Sequence, residues 1–347
     1  MIKINMFSKA DTVQGQGVGS AYNELIGLLR KNLSSEFQVT INQYSQSDIT
    51  HYHTINPTYF INSFSKNRGR KIGYVHFLPE TLEGSIKLPS GAKTVLYKYV
   101  IDFYKRMDQI VVVNPIFIDK LANYGIDRSK IKYIPNFVSK SVFYEQTDAQ
   151  KKQFREKVGI PDDKFVIFGD GQVQVRKGVD DFAKLAQANP DIQFIWAGGF
   201  SFGKITEGYD RLKKLVANPP KNLLFTGIIT RQELVNYLNI ANLFLLPSYD
   251  ELFPMSVLEA FSCGTPVLLR NLDLYKAIID GYYMSGNNFD DFNQIIQSVL
   301  SDPEKLKRYH TLSLKASDEY SEANLTKVWR EFYLEQYNLG KKMGQIK

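Results

Sequence analysis

Short apolar runs alternate with amphipathic stretches along this chain, and the alternation begins twice. In the first half Met1–Phe7, Val39–Gln43, Ile72–Val75, Ile110–Val113 and Lys132–Ile134 read as strands, with helical spacing over Val18–Leu33 and Lys93–Met107. In the second half Phe165–Gly169, Ile192–Ala197, Leu223–Thr226, Leu243–Leu246 and Val267–Leu269 read as strands. Val179–Ala188, Glu233–Asn239, Met255–Ser262 and Phe289–Leu300 read as helices. Such a rhythm implies a parallel sheet with helices on both faces. The chain is therefore expected to be α/β, with two Rossmann-like domains facing across a cleft where the carboxyl ends of the strands gather ligands.

The polar stretch Glu145–Lys157 separates the two rhythms and predicts domains at 1–145 and 146–320. A final helical stripe, with Leu325, Val328, Trp329, Phe332, Tyr333 and Tyr337, is followed by no strand. A helix over about 321–347 is expected to bury that stripe by packing back on the first domain.

At 347 residues the chain is too long for one core, which agrees with two domains. Its 44% hydrophobic and 23% charged residues exclude a disordered or collagen-like chain. No apolar run reaches the roughly 18 residues of a membrane span, and the N-terminus lacks the pattern of a signal peptide. Cys263 is the only cysteine, so neither an intrachain disulfide nor a cysteine-based zinc site can form. A cytoplasmic location is the default expectation. The formal net charge is +7, and Lys66–Arg106 carries +6 of it, with nine basic residues against three acids. A patch of this kind suits an anionic membrane surface or nucleic acid, and a merely solvated face accounts for it as well.

The segment that most favours a particular chemistry is Ser248-Tyr249-Asp250-Glu251-Leu252-Phe253-Pro254-Met255-Ser256-Val257-Leu258-Glu259-Ala260. A strand ends, a loop presents a carboxylate, and Pro254 suits the first turn of a helix. Free amides at that helix start suit a diphosphate. A carboxylate complementing the helix dipole would explain Glu251 alone. It does not explain Glu259, set among apolar neighbours, which calls for hydroxyl or cationic partners such as those of ribose or a sugar.

Glu251 and Glu259 together resemble the E-x7-E signature of retaining GT-B glycosyltransferases of the sucrose-synthase-like family. The following Ala260-Phe261-Ser262-Cys263-Gly264-Thr265-Pro266-Val267 is similar to that family's EA-x-A-x-G-x-PV run. The resemblance implies that Glu251 lies by the donor sugar and Glu259 binds the ribose. Phe253, Pro254 and Met255 fall where the family's backbone amides meet sugar and phosphate. Gly169-Asp170-Gly171-Gln172-Val173-Gln174-Val175-Arg176-Lys177-Gly178 resembles the family's "GR…KG" run. Lys177 then takes the leaving diphosphate in place of a metal. Gln172 stands where the family commonly has arginine, a role Arg176 could partly fill.

Gly15 and Gly17, in Gly15-Gln16-Gly17-Val18-Gly19-Ser20, resemble the family's donor-side glycine loop. Gly19 is expected to serve packing. His76 stands where the family has a histidine near the reacting carbon. His53, in Asp48-Ile49-Thr50-His51-Tyr52-His53, resembles the family's D-x-x-H-x-H strand and has a structural reading as well. Pro135-Asn136 resembles a PNG run with Phe137 in place of the glycine. Asp180-Asp181 and Asp290-Asp291 read as helix-start capping. The expected enzyme is a hexosyltransferase with His76, Lys177 and Glu251 at its centre and no metal or cofactor.

Lys93–Met107 places Leu96, Val100, Phe103 and Met107 on one stripe, which a core or a bilayer surface would each bury. Lys93, Lys98, Lys105 and Arg106 lie along it, and these four are the expected membrane or acceptor contacts. The opening Ile2–Ser8 and Gly15–Tyr22 are similar to Gram-positive glycolipid synthases, which add a second hexose, often galactose, to monoglucosyldiacylglycerol. The resemblance implies a UDP-sugar donor, a glycolipid acceptor and a peripheral position on the inner face of the cell membrane. A same-fold enzyme with a soluble or wall-polysaccharide acceptor is the nearest alternative. A nucleic-acid-binding protein lacks recognition motifs here, and a two-lobed sugar-binding protein would ordinarily carry an export signal.

Overall fold

The computed structural model describes residues 1–10, 17–79, 90–201, 203 and 206–346. These form two compact units. The first comprises the described parts of Met1–Leu82 and Leu88–Phe137 together with Glu322–Lys347; the second contains Val138–Ser321.

In the first unit the strands are β1 (Ile2–Phe7), β2 (Phe37–Ile41), β3 (Ile49–Tyr52), β4 (Arg70–Val75), β5 (Gln109–Val112) and β6 (Ile131–Tyr133). They form one sheet in the order β2-β1-β3-β4-β5-β6, and every pairing is parallel. Ile4 lies opposite both Val39 and Ile49, which fixes the register on either side of β1. The helices are α1 (Gly17–Asn32), α2 (Pro57–Asn62), α3 (Ser90–Lys105) and α4 (Ile116–Asn123). Parallel strands of this kind are buried on both faces and read as apolar runs; β5, with all four residues buried, is an instance.

The second unit repeats the architecture with β7 (Val166–Asp170), β8 (Gln193–Ala197), β9 (Leu223–Gly227), β10 (Leu243–Leu246), β11 (Val267–Arg270) and β12 (Met284–Gly286). Its sheet runs β12-β11-β10-β7-β8-β9, again all parallel. The helices are α5 (Asp148–Val158), α6 (Val179–Ala188), α7 (Tyr209–Ala217), α8 (Arg231–Ile240), α9 (Met255–Ser262), α10 (Asp273–Ile279), α11 (Phe289–Ser301) and α12 (Pro303–Glu319). This is the doubly wound strand order. Its direction of travel reverses between β7 and β10, which therefore flank the switch point.

The chain then returns to the first unit as α13 (Glu322–Lys342). Leu325, Trp329, Phe332 and Tyr333 are buried there. Arg70 donates from Nε to Gln336 at 2.9 Å, and Arg330 pairs with Glu36 at 2.6 Å. Pro254 precedes the first turn of α9 as its N-cap rather than standing within it.

Candidate functional site

The loops that leave β7 and β10 meet at the switch point of the second unit. Their backbones are joined where Tyr249 N–H donates to the Arg176 carbonyl at 2.8 Å. Arg176 and Lys177 occupy a 3-10 turn, Val175–Lys177, that ends at Gly178 with φ 70°. A Cβ at Gly178 would lie 2.3 Å from the Pro247 carbonyl oxygen, so only glycine lets the two loops close this tightly.

That closure turns both cations inward. Lys177 Nζ is 2.5 Å from Glu251 Oε1, and Arg176 Nη1 is 3.5 Å from Glu251 Oε2. Their side chains are only 12% and 16% exposed, which rules out a solvated pair. Arg176 also donates to the Asp250 carbonyl at 2.5 Å. Burial works against the charge on Glu251, but Lys177 and Arg176 outweigh it and hold the carboxyl below the usual range.

No side chain caps α9 at Pro254; in its first turn Val257 N–H reaches the Pro254 carbonyl at 3.3 Å. Pro254 has no N–H to donate. Of the three residues expected at sugar and phosphate, Phe253 and Met255 alone can offer backbone amides. Both are buried, with the Phe253 ring edge-on to Tyr320 at 5.2 Å. Glu259, one turn beyond Met255, is 4% exposed. Gln172 accepts from Gln174 Nε2 at 2.6 Å.

Three groups at this site were not singled out from the sequence. Asp170 ends β7 between two glycines, and burial raises its carboxyl to about 6 against the lowering influence of the Ser256 hydroxyl and Lys177. A carboxylate at the end of a strand beside the switch point was the signal available. Tyr275, fully buried in α10, lies within the field of Glu251. Arg270 ends β11 and donates to Asp181 Oδ2 at 2.6 Å, while Tyr249 Oη donates to the same oxygen at 2.6 Å. Asp181 thus braces the base of the site instead of capping α6, and Asp180 pairs with Arg211. Asp291 does bond at its helix start, accepting from Asn287 N–H at 2.8 Å.

In the first unit, β3 and β4 end in three histidines. His51 Nδ1 is 2.8 Å from Tyr333 Oη of α13, and His53 Nδ1 is 3.5 Å from His76 Nε2. The His76 ring stacks on Tyr74 at 4.3 Å. Burial favours the neutral ring at all three; His76 is pulled down to about 3. Gly17 opens α1, Gly19 packs within it against the Ala10 carbonyl, and Gly15 lies outside the described residues.

The basic segment divides in two. Arg68 is buried and donates to the carbonyls of Gln43, Tyr44 and Ser45. Arg70 bonds Gln336, Lys71 pairs with Asp108 at 3.2 Å, and Arg106 donates to Ser63 while lying 3.6 Å from the Phe64 ring. Those four cations therefore hold loops and helix ends together. Lys66, Lys98 and Lys105 are exposed; Lys93 is half-buried, and Lys87 lies outside the described residues. Val100, Phe103 and Met107 of the α3 stripe belong to the core. By helical spacing Val95, Lys98, Asp102 and Lys105 share the opposite face, and Lys93 falls on the core side. Val95, Ile61 and Phe64 are 71%, 71% and 60% exposed. No described helix is long and apolar enough to cross a membrane.

A family model described as glycosyl transferases group 1 matches residues 150–313, and one described as glycosyltransferase family 4 matches residues 19–142. The alpha-galactosylglucosyldiacylglycerol synthase of Streptococcus pneumoniae is 47% identical over 342 residues, 98% of this chain and 91% of that protein. Among solved structures, sucrose-phosphate synthase from Thermosynechococcus elongatus superposes with a TM-score of 0.80 at 15% identity, over 98% of this chain and 100% of that one. Anabaena HepE in complex with UDP-glucose gives 0.78 at 15% identity, over 96% and 100%. The two structures establish the fold, GT-B with two Rossmann-like domains, and the near full-length sequence match establishes the rest: this chain belongs to the group 1 glycosyltransferases.

Proposed function

We propose that the chain transfers a hexose, galactose or glucose, from a UDP-hexose to monoglucosyldiacylglycerol, with retention of anomeric configuration. The observation that carries this reading is the 47% identity, over 98% of the chain, to a pneumococcal alpha-galactosylglucosyldiacylglycerol synthase. The second unit supplies chemistry that agrees with it. Arg176 and Lys177 are poised for the diphosphate, with Gln172 and the amides of Phe253 and Met255 beside them. Glu251 faces the sugar hydroxyls, and Glu259 takes the ribose. Gly15, Gly17 and His76 are the first unit's contributions, His76 near the anomeric carbon.

In the proposed front-face displacement, the bond from the anomeric carbon to the β-phosphate oxygen breaks as the acceptor oxygen bonds to that carbon. The acceptor proton passes to the departing phosphate. Negative charge grows on the diphosphate, and Lys177 stabilises it there more than in the ground state. The site needs no metal for this step.

The lipid acceptor implies a membrane surface at the inner face of the cell membrane. Lys66, Lys98 and Lys105, with the exposed Ile61, Phe64 and Val95, are the residues of the first unit suited to it. Arg106 underlies it through its contact with the Phe64 ring, while Lys93 falls on the core side of α3.

The test is product formation from labelled UDP-galactose and UDP-glucose, with monoglucosyldiacylglycerol in phosphatidylglycerol vesicles, with and without EDTA. A labelled dihexosyldiacylglycerol with an α-linked second sugar, equal in both conditions, is expected. Transfer to water-soluble glucosides and not to the glycolipid would overturn the acceptor assignment, and rescue only by Mg2+ or Mn2+ the metal-free one.

A further inference from the structure

Glu251 is not the only carboxylate among the donor-side cations. Asp170 ends β7, directly across the switch point from the loop that carries Glu251. Lys177 passes over the intervening Gly171: a Cβ there would lie 3.4 Å from its Cε. The Ser256 hydroxyl, in the first turn of α9, bonds Asp170 and so ties it to the helix start that faces the phosphates. Its other side is unsatisfied. Oδ1 is shut off from solvent and has no hydrogen-bond partner.

A sheltered carboxylate oxygen without a donor is costly, and folded proteins rarely leave one so. Lys177 and Arg176 already meet Glu251, and a bound diphosphate would draw them further away from Asp170. What remains to satisfy Oδ1 is a neutral donor, and a sugar presents hydroxyls. Tyr275 adds a second observation of the same kind. Its side chain is fully buried, its hydroxyl also lacks a partner, and it feels the charge of Glu251.

We propose that Asp170 is a third carboxylate of the donor site, accepting a hydrogen bond from a hydroxyl of the transferred hexose and thereby helping to set which hexose is used. This inference rests on the donor reading above. Its role complements that of Glu251, which meets the two cations as well as the sugar, because Asp170 Oδ1 has no partner within the protein.

The experiment compares the wild type with Asp170→Asn, an isosteric change, using UDP alone in calorimetry and both UDP-hexoses in turnover. UDP affinity is expected to stay within about twofold. The kcat/KM for the preferred hexose should fall tenfold to a hundredfold, the cost of losing a charged acceptor, and the ratio between hexoses should narrow. The wild-type kcat/KM should decline below about pH 6 on a limb the variant lacks. Ser256→Ala, which withdraws a hydroxyl from Asp170 without removing the carboxylate, should shift the hexose ratio by a smaller factor and reports on the site should Asp170→Asn fail to fold. An unchanged hexose ratio in either folded variant overturns the proposal. So does a loss of UDP affinity as large as the loss of kcat/KM, which would make Asp170 a support of the phosphate site only. A wild type that binds neither UDP nor UDP-hexose sinks the donor reading itself, a separate result.

Discussion

The two sheets place polar groups at their carboxyl ends in opposite ways. The first unit gathers His51, His53 and His76 among Tyr74, Trp329 and Tyr333, and the packing keeps the rings neutral. The second gathers Arg176, Lys177, Glu251 and Asp170, full charges that neutralise one another. Buried opposite charges stabilise a fold only weakly once desolvation is counted. Retaining four of them at a switch point is better explained by a ligand than by stability. Neutral rings, by contrast, present a polar edge without a field. The comparison teaches that one doubly wound sheet can be specialised for charge and its neighbour for shape.

The largest effect is expected from breaking the charged side. Lys177→Ala removes the nearest cation from Glu251 and, in the proposed reaction, from the leaving phosphate. Turnover should fall about 10²- to 10³-fold, as when one preorganised electrostatic donor is lost, while the KM for UDP-hexose changes much less. A folded variant within threefold of wild-type kcat would remove Lys177 from the reaction.

Charge on the first unit's surface is predicted to matter for location and not for donor binding. Replacing Lys66, Lys98 and Lys105 with Gln should reduce sedimentation with phosphatidylglycerol vesicles by about a hundredfold in partition coefficient, each charge contributing on the order of 1 kcal/mol. Binding by the wild type should itself weaken at 1 M salt, where the Debye length is about 3 Å. Equal pelleting of variant and wild type at low salt would reduce these lysines to a solvated face. Donor affinity should be unchanged throughout.

The smallest effect sharpens the contrast by its sign. In the first unit the histidine pKa values lie below the ordinary value near 6.5, so the unfolded chain takes up protons that the folded rings refuse. Stability is therefore lost as pH falls below about 6.5, for His76 down to about 3, by up to about 1.4 kcal/mol per pH unit for each proton the folded state refuses. In the second unit the raised carboxyl of Asp170 acts the other way. Its burial as a charge is relieved as pH falls through about 6. The chain has two tryptophans, Trp329 in the first unit and Trp196 in the second. Denaturant unfolding of Trp329→Phe and Trp196→Phe, each leaving one reporter, should show the first unit weakening between pH 7 and pH 5 and the second holding or gaining. Parallel changes in both units would contradict the contrast.

How much of this could be read in the sequence depended on what each segment buries. Leu243–Leu246 and Val179–Ala188 were legible to the residue because parallel strands and their helices bury Leu, Ile, Val and Phe. The Ile49–Tyr52 strand escaped the apolar-run reading because its buried residues include Thr50 and His51, polar groups that bond the Arg68 carbonyl and the Tyr333 hydroxyl. The α12 helix was missed for a related reason: its fully buried residues are Ser313, Ala316 and Ser317, small side chains that carry no apolar stripe. At the site, Glu251, Glu259 and Lys177 stood out through spacing and resemblance. Their mutual contact did not, since a loop can aim a cation outward or inward, and only the closure at Gly178 decides. The basic segment was the least legible feature. Nothing in the spacing of Arg68, Arg70, Lys71 and Arg106 separates a cation that binds carbonyls within the fold from one that meets solvent.

The return of α13 to the first unit has a consequence for how the molecule is made. Synthesis proceeds from the N-terminus, and domains generally fold as units as they emerge. The second unit is contiguous over Val138–Ser321 and can complete itself as soon as it leaves the ribosome. The first unit cannot, because Trp329, Phe332 and Tyr333 are translated after all six of its strands and helices α1 to α4. The half of the protein that begins first is thus finished last. Until α13 arrives, His51 has no tyrosine to bond, and the face that Trp329 will cover stays open to water or to a chaperone.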